Sequence, residues 1–170
     1  TLILDAYNAS ALWKKDGELW TDPRNINFWG GIYQAAALMH SAKGSYDITL
    51  RWETIGGYGI LSWYPEFEEL PPYYAWRYLI AIAGLTESAQ ILECSTTESP
   101  VENAPHHGGM AVDLYTVQPF AIRRPDGGVS VVLINKYADT NRSVNIEVPE
   151  GMGRYTLYRY DREQITGGST

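Results

Sequence analysis

The apolar positions of the chain change period near its middle. Leu2, Ile3 and Leu4 form a short continuous apolar run, the pattern of a strand buried on both faces. Asp22-Pro23 joins a helix N-cap to proline at the first helical position. Phe28, Ile32, Ala35, Ala36, Leu38 and Met39 then recur at helical spacing up to Lys43-Gly44, which supplies a C-terminal stop. This spacing predicts a helix. Gly30-Gly31 inside it costs roughly 1 kcal/mol per residue against alanine, which predicts close approach of a neighbouring element. Asp47 to Trp52 reads as a second buried strand, followed by a glycine-rich aromatic loop from Gly56 to Pro72. Tyr73 to Ala83 then predicts a second helix, with Trp76, Leu79, Ile80 and Ala83 on one face and Gly84 closing it. The predicted order is strand, helix, strand, helix.

After about Leu85 the period shortens. The polar stretch from Thr96 to Gly109, with Pro100, Pro105 and Gly108-Gly109, reads as a loop. Four β-rich segments follow: Val112 to Arg124, Val129 to Asn135, Ser143 to Val148 and Arg154 to Tyr160. Between them lie turn signals at hairpin spacing, Pro125-Asp126-Gly127-Gly128, Ala138 to Asn141 and Pro149-Glu150-Gly151. The second half is expected to be all-β and antiparallel, and no internal repeat or heptad pattern interrupts either half. Two parallel strands cannot make a sheet covered on both faces, so the first half reads as a piece of something larger.

Composition narrows the function classes. A length of 170 residues, 45% of them hydrophobic and 19% charged, is that of an ordinary globular protein. The net charge of −7 argues against nucleic acid and anionic lipid as partners. The absence of a long apolar run, and of a basic-then-apolar start, argues against a membrane segment. Cys94 is the only cysteine, so no internal disulfide framework is expected, and it reads as a buried free thiol. His40, His106 and His107 lack metal-ligand spacing, and neither a nucleophile elbow nor a phosphate-cradling glycine loop occurs. No metal and no cofactor is expected. The unusual quantity is the 13% aromatic content, with six Trp and thirteen Tyr. Such side chains fill cores, and they are also the surfaces on which sugar rings stack.

The two predicted strands end in Asp5-Ala6-Tyr7-Asn8 and Arg51-Trp52-Glu53. These stretches, with Phe28 to His40, Gly59-Ile60-Leu61 to Leu79 and Val131 to Lys136, resemble in order and spacing the C-terminal quarter of the retaining clan-A glycoside hydrolases. The nearest family is that of the β-xylosidases and α-L-iduronidases. The resemblance implies the last βαβα quarter of a (β/α)8 TIM barrel over residues 1–90 and an antiparallel β-sandwich over 91–170. It also implies two partners: an oligo- or polysaccharide substrate, and a polypeptide carrying barrel strands one to six and the acid/base residue.

Retaining glycosidases use two carboxyl groups about 5 to 5.5 Å apart. Where the family pattern places the nucleophilic glutamate, this chain has Ala6, and alanine cannot attack an anomeric carbon. Three explanations stand: an engineered knockout, a natural loss of catalysis, or a one-residue shift that makes Asp5 the functional carboxylate. The resemblance places Tyr7 and Asn8 against the nucleophile or a sugar hydroxyl, Trp52 as the floor of the sugar subsite, Glu53 as a hydroxyl acceptor and Trp63 in the loop where substrate enters. Plain packing or ion pairing accounts equally for several of these. The rival functions are a non-catalytic carbohydrate-binding module and a structural partner that completes another chain's barrel.

Overall fold

The computed structural model describes residues 1–7, 14–19, 22–51, 53–63, 65–98, 101–104, 112–136, 141–147 and 155–161. Strand β1 (Ile3–Tyr7) is followed by the short hairpin of β2 (Lys14–Lys15) and β3 (Glu18–Leu19), a 3-10 turn (Pro23–Asn25), helix α1 (Phe28–Lys43) and strand β4 (Ile48–Arg51). Helix α2 (Pro71–Arg77) runs on into a π-helical turn (Tyr78–Ile82), and strands β5 (Gln90–Leu92), β6 (Val101–Ala104), β7 (Val112–Leu114), β8 (Val117–Arg123) and β9 (Val129–Asn135) complete the order. β1 pairs with β4 in parallel, β6 with β7 in antiparallel fashion, and β5, β8 and β9 form one antiparallel sheet with β8 in the centre.

The entry to α1 differs from the simple reading of Asp22-Pro23. Asp22 caps the 3-10 turn, accepting from the Arg24 amide at 2.9 Å. The α-helix starts later, at a second cap, where Asn27 Oδ1 accepts from the Gly30 amide at 3.1 Å. The 3-10 turn folds back over the helix at Gly30, where a Cβ would lie 2.3 Å from the Arg24 carbonyl oxygen. One residue on, a Cβ at Gly31 would meet the Tyr160 hydroxyl at 1.8 Å. Tyr160 fills that notch, stacks on Phe28 with ring centres 5.3 Å apart, and donates its hydroxyl proton to the Pro71 carbonyl at 2.9 Å. The glycine pair thus lets two segments distant from each other in the chain lie directly on α1.

The core lies between α1, the π-helical turn and the antiparallel sheet. Met39, Leu79, Ala83, Phe120, Ile122 and Ile134 are buried together, with Ile32, Ala36, Leu85 and Val132 packed around them. The hairpin between β8 and β9 follows its turn residues: Gly127 takes φ +84°, the Arg124 amide donates to the Gly128 carbonyl at 2.8 Å, and Asp126 Oδ1 accepts from the Gly128 amide at 2.9 Å.

The expected architecture, a last βαβα quarter of a TIM barrel followed by a β-sandwich, is not what the chain forms. Among the described residues the parallel sheet has two strands. Barrel strands are covered on both faces, whereas Leu2, Ile3, Ile48 and Leu50 are each 42 to 50% exposed. Their apolar run therefore does not mark the doubly buried strands it was read as. Where a sandwich would place a second sheet, α1 and the π-helical turn cover the apolar face of β5-β8-β9 through Met39 and Leu79. Of the remaining predicted sandwich strands, Ser143 to Val148 and Arg154 to Tyr160, the described residues 143–147 and 155–160 carry no regular structure, and Tyr155 is 93% exposed. Among the described residues the result is a small mixed α/β unit of two helices, a two-stranded parallel sheet, a three-stranded antiparallel sheet and the short antiparallel pairs β2-β3 and β6-β7.

The segment after β5 is pinned to β8 by one carboxylate. Glu98 accepts from the Thr116 hydroxyl and from the Val117 amide at 3.1 Å. These hydrogen bonds, led by that from Thr116, hold its carboxyl below the ordinary value of 4.5. An unfolded glutamate takes up its proton at higher pH than the folded one, so the contribution is complete above that ordinary value and is lost as pH falls towards the folded one. Glu98→Gln should therefore flatten the acid limb of a stability-against-pH curve while leaving the slope near neutrality unchanged. A urea-denaturation series between pH 7 and pH 3 measures this.

Candidate functional site

The residues with chemistry on offer gather at the C-terminal ends of β1 and β4. Ile3 pairs with Ile48, Leu4 with Thr49 and Tyr7 with Arg51, so β1 spends one residue more than β4 between the last two pairs. The excess is a bulge across Asp5-Ala6. Bulges re-aim side chains beside functional sites, and strict alternation cannot be carried through these two positions.

Beyond the bulge, Tyr7 is buried at 7% exposure, and burial pushes its phenol up to about 12. Its register partner Arg51 is half-buried and joins three segments. Nη1 donates to the Glu53 carbonyl at 2.9 Å, and Nη2 to the carbonyls of Asn25 at 3.3 Å and Gly59 at 3.2 Å. Burial draws this guanidinium down to about 10, against the opposing pull of the Tyr7 and Glu53 charges. The side chain thus clamps the 3-10 turn and the following loop onto the end of β4.

The loop itself is built by local pairing. Leu61 bridges to both Ile55 and Glu69, the Ser62 amide donates to the Glu68 carbonyl at 2.8 Å, and Ser62 Oγ accepts from the Glu68 amide at 2.8 Å. Trp63 is held at the tip, 64% exposed. Gly56 takes φ +117°, and the point where a Cβ would sit lies 2.6 Å from Glu53 Oε1 and 2.9 Å from the outer edge of the Trp63 indole. Only glycine accepts both that backbone angle and that approach. The carboxylate and the open indole face consequently share one small neighbourhood.

Two acidic residues act on Tyr58, whose phenol is raised first by burial and then by the charges of Asp22 and Glu53. Asp22 is itself buried, its carboxylate oxygens each accepting from Arg24 Nε at 2.9 Å. The guanidinium thus clasps both carboxylate oxygens.

Of the residues singled out in the sequence, Glu53 and Trp63 meet at Gly56, and Tyr7 stands beside Arg51 on the neighbouring strand. Ala6 and Asp5 are backbone positions of β1, at its bulge. Asn8 and Trp52 lie outside the described residues. Sequence reasoning missed Arg51 as a clamp, along with Asp22 and Tyr58. In the sequence Asp22 reads only as a helix cap, and the partners of Arg51 lie in segments whose approach no local pattern encodes.

Among the described residues no three His, Cys, Asp or Glu side chains are grouped to hold a metal ion, and no helix is long and apolar enough to cross a membrane. No family model, curated protein or solved structure matches the chain.

Proposed function

We propose that the chain provides a saccharide-contacting surface of a glycoside hydrolase, with Trp63 as the stacking face and Glu53 as the acceptor for sugar hydroxyls. The observation that carries this reading is the Gly56 turn, which brings the Glu53 carboxylate and the exposed Trp63 indole to one point. An indole face offers C–H stacking area to a pyranose, and a carboxylate alongside fixes its orientation by accepting hydroxyl protons. The sequence resemblance to retaining glycosidases supplies the reaction class. Ala6 supplies no nucleophile, so hydrolysis by two carboxylates would draw its attacking group from elsewhere. For this chain acting alone, the same substitution favours binding without turnover.

The test is a calorimetric titration with a series of neutral oligosaccharides, xylo-oligosaccharides first. At least one should bind saturably, and Trp63→Ala should weaken that binding by about tenfold, the scale of one lost aromatic contact. An unchanged affinity in the variant, or no binding across the series, overturns the proposal.

A further inference from the structure

Two buried donors at the ends of β1 and β4 lack an acceptor among the described residues. The Tyr7 hydroxyl and Arg51 Nε are both closed off from solvent and have no hydrogen-bond partner there, and they belong to residues paired across the parallel strands. The rest of the Arg51 guanidinium is committed to the carbonyls of Glu53, Asn25 and Gly59. Those acceptors fix its plane and satisfy Nη1 and Nη2, yet none of them carries a charge. Arg51 makes no ion pair among the described residues; the Glu53 carboxylate acts on it only through space.

The geometry points to an oxyanion site in which the Tyr7 hydroxyl and Arg51 Nε donate to a carboxylate or phosphate group. A water molecule would satisfy donors here and leave the positive charge uncompensated, whereas an oxyanion answers both needs with charge-assisted hydrogen bonds. Arginine suits the role because its guanidinium cannot shed its proton to escape burial in the physiological range. Tyr7 remains a donor throughout that range, since burial works against its ionisation. The ligand group has to be small, because Tyr7 is buried, with 7% of its surface exposed. This site is independent of the saccharide reading, which rests on Trp63 and Glu53.

The Arg51 Nε–H resonance in a proton–nitrogen correlation spectrum reports directly on the site. Inorganic phosphate and acetate are titrated separately at constant ionic strength set with chloride. The Arg51 resonance should move saturably with at least one of them, and the stronger of the two identifies whether a phosphate or a carboxylate is preferred. Tyr7→Phe keeps the buried ring and removes one donor, so the affinity should fall about threefold to tenfold with the rest of the spectrum unchanged. Absence of a saturable shift with either anion overturns the proposal, and so does equal affinity in the wild-type chain and Tyr7→Phe. Trp63→Ala should leave the anion response intact, which separates a failure of this site from a failure of saccharide binding.

Discussion

Gly30→Ala is expected to lower the unfolding free energy by about 2 kcal/mol, within the range for overpacking a filled site, although alanine is the better helix former by about 1 kcal/mol. The added methyl group would lie 2.3 Å from the Arg24 carbonyl oxygen and 2.8 Å from the carbonyl carbon and oxygen of Asn25. All three are backbone atoms, so no rotamer change relieves the contact. Either the 3-10 turn lifts from α1 or the first turn of the helix unwinds. Lifting the turn also moves the Asn25 carbonyl away from Arg51 Nη2 and disturbs the burial of Asp22. Denaturant titration reads the loss as a lower midpoint at an unchanged slope. A variant as stable as the parent would show that the turn does not bear on the helix.

Phe120→Ala should cost more, about 3 to 5 kcal/mol, the range for removing a fully buried aromatic side chain. Phe120 is 1% exposed on the central strand of the antiparallel sheet, within the cluster that includes Met39 and Leu79. Its ring also meets the edge of His40 at 5.1 Å and 86°. The vacated space opens at the junction of α1, the π-helical turn and β8, and backbones on all three sides limit how far it can collapse. For a chain of this size the loss corresponds to a fall in melting temperature of about 10 °C. Calorimetry measures it, and a fall of only a degree or two would mean that the sheet and helices are not held by this cluster.

The elements that were legible in the sequence are those whose signals are local. The helical spacing from Phe28 to Met39 and the Pro125-Asp126-Gly127-Gly128 turn each encode a conformation within a few residues. What failed was the inference from element to architecture. Val144 and Ile146, or Tyr155 and Leu157, alternate in the manner of strands, but pairing requires a free edge and an uncovered apolar face. The face of β5-β8-β9 is already occupied by α1. In the same way, Leu2-Ile3-Leu4 records apolar composition, and only tertiary structure decides whether anything covers it.

The site was legible to a similar depth. Glu53 and Trp63 stand out as residue types, and a glycine between them hints at a turn. The pairing of Tyr7 with Arg51 follows from a bulge that shifts register by one residue, and period-2 reasoning has no means of detecting an added residue. The clamp made by Arg51 requires the 3-10 turn and the Gly59 loop to approach together, a relation between segments distant in the chain.

The Tyr160 wedge bears on the order in which the chain assembles. Its hydrogen bond to Pro71 joins residues 89 positions apart, and loop closure of that span carries an entropic penalty growing with the logarithm of its length. The notch at Gly31 exists only once α1 is formed, and the acceptor at Pro71 is in place only once α2 lies against it. Contacts this far apart in the chain slow folding, because their closure entropy must be met before they contribute. The phenol thus fastens α1 to the start of α2 across a long stretch of chain, and its closure entropy is offset only where both helices are in place.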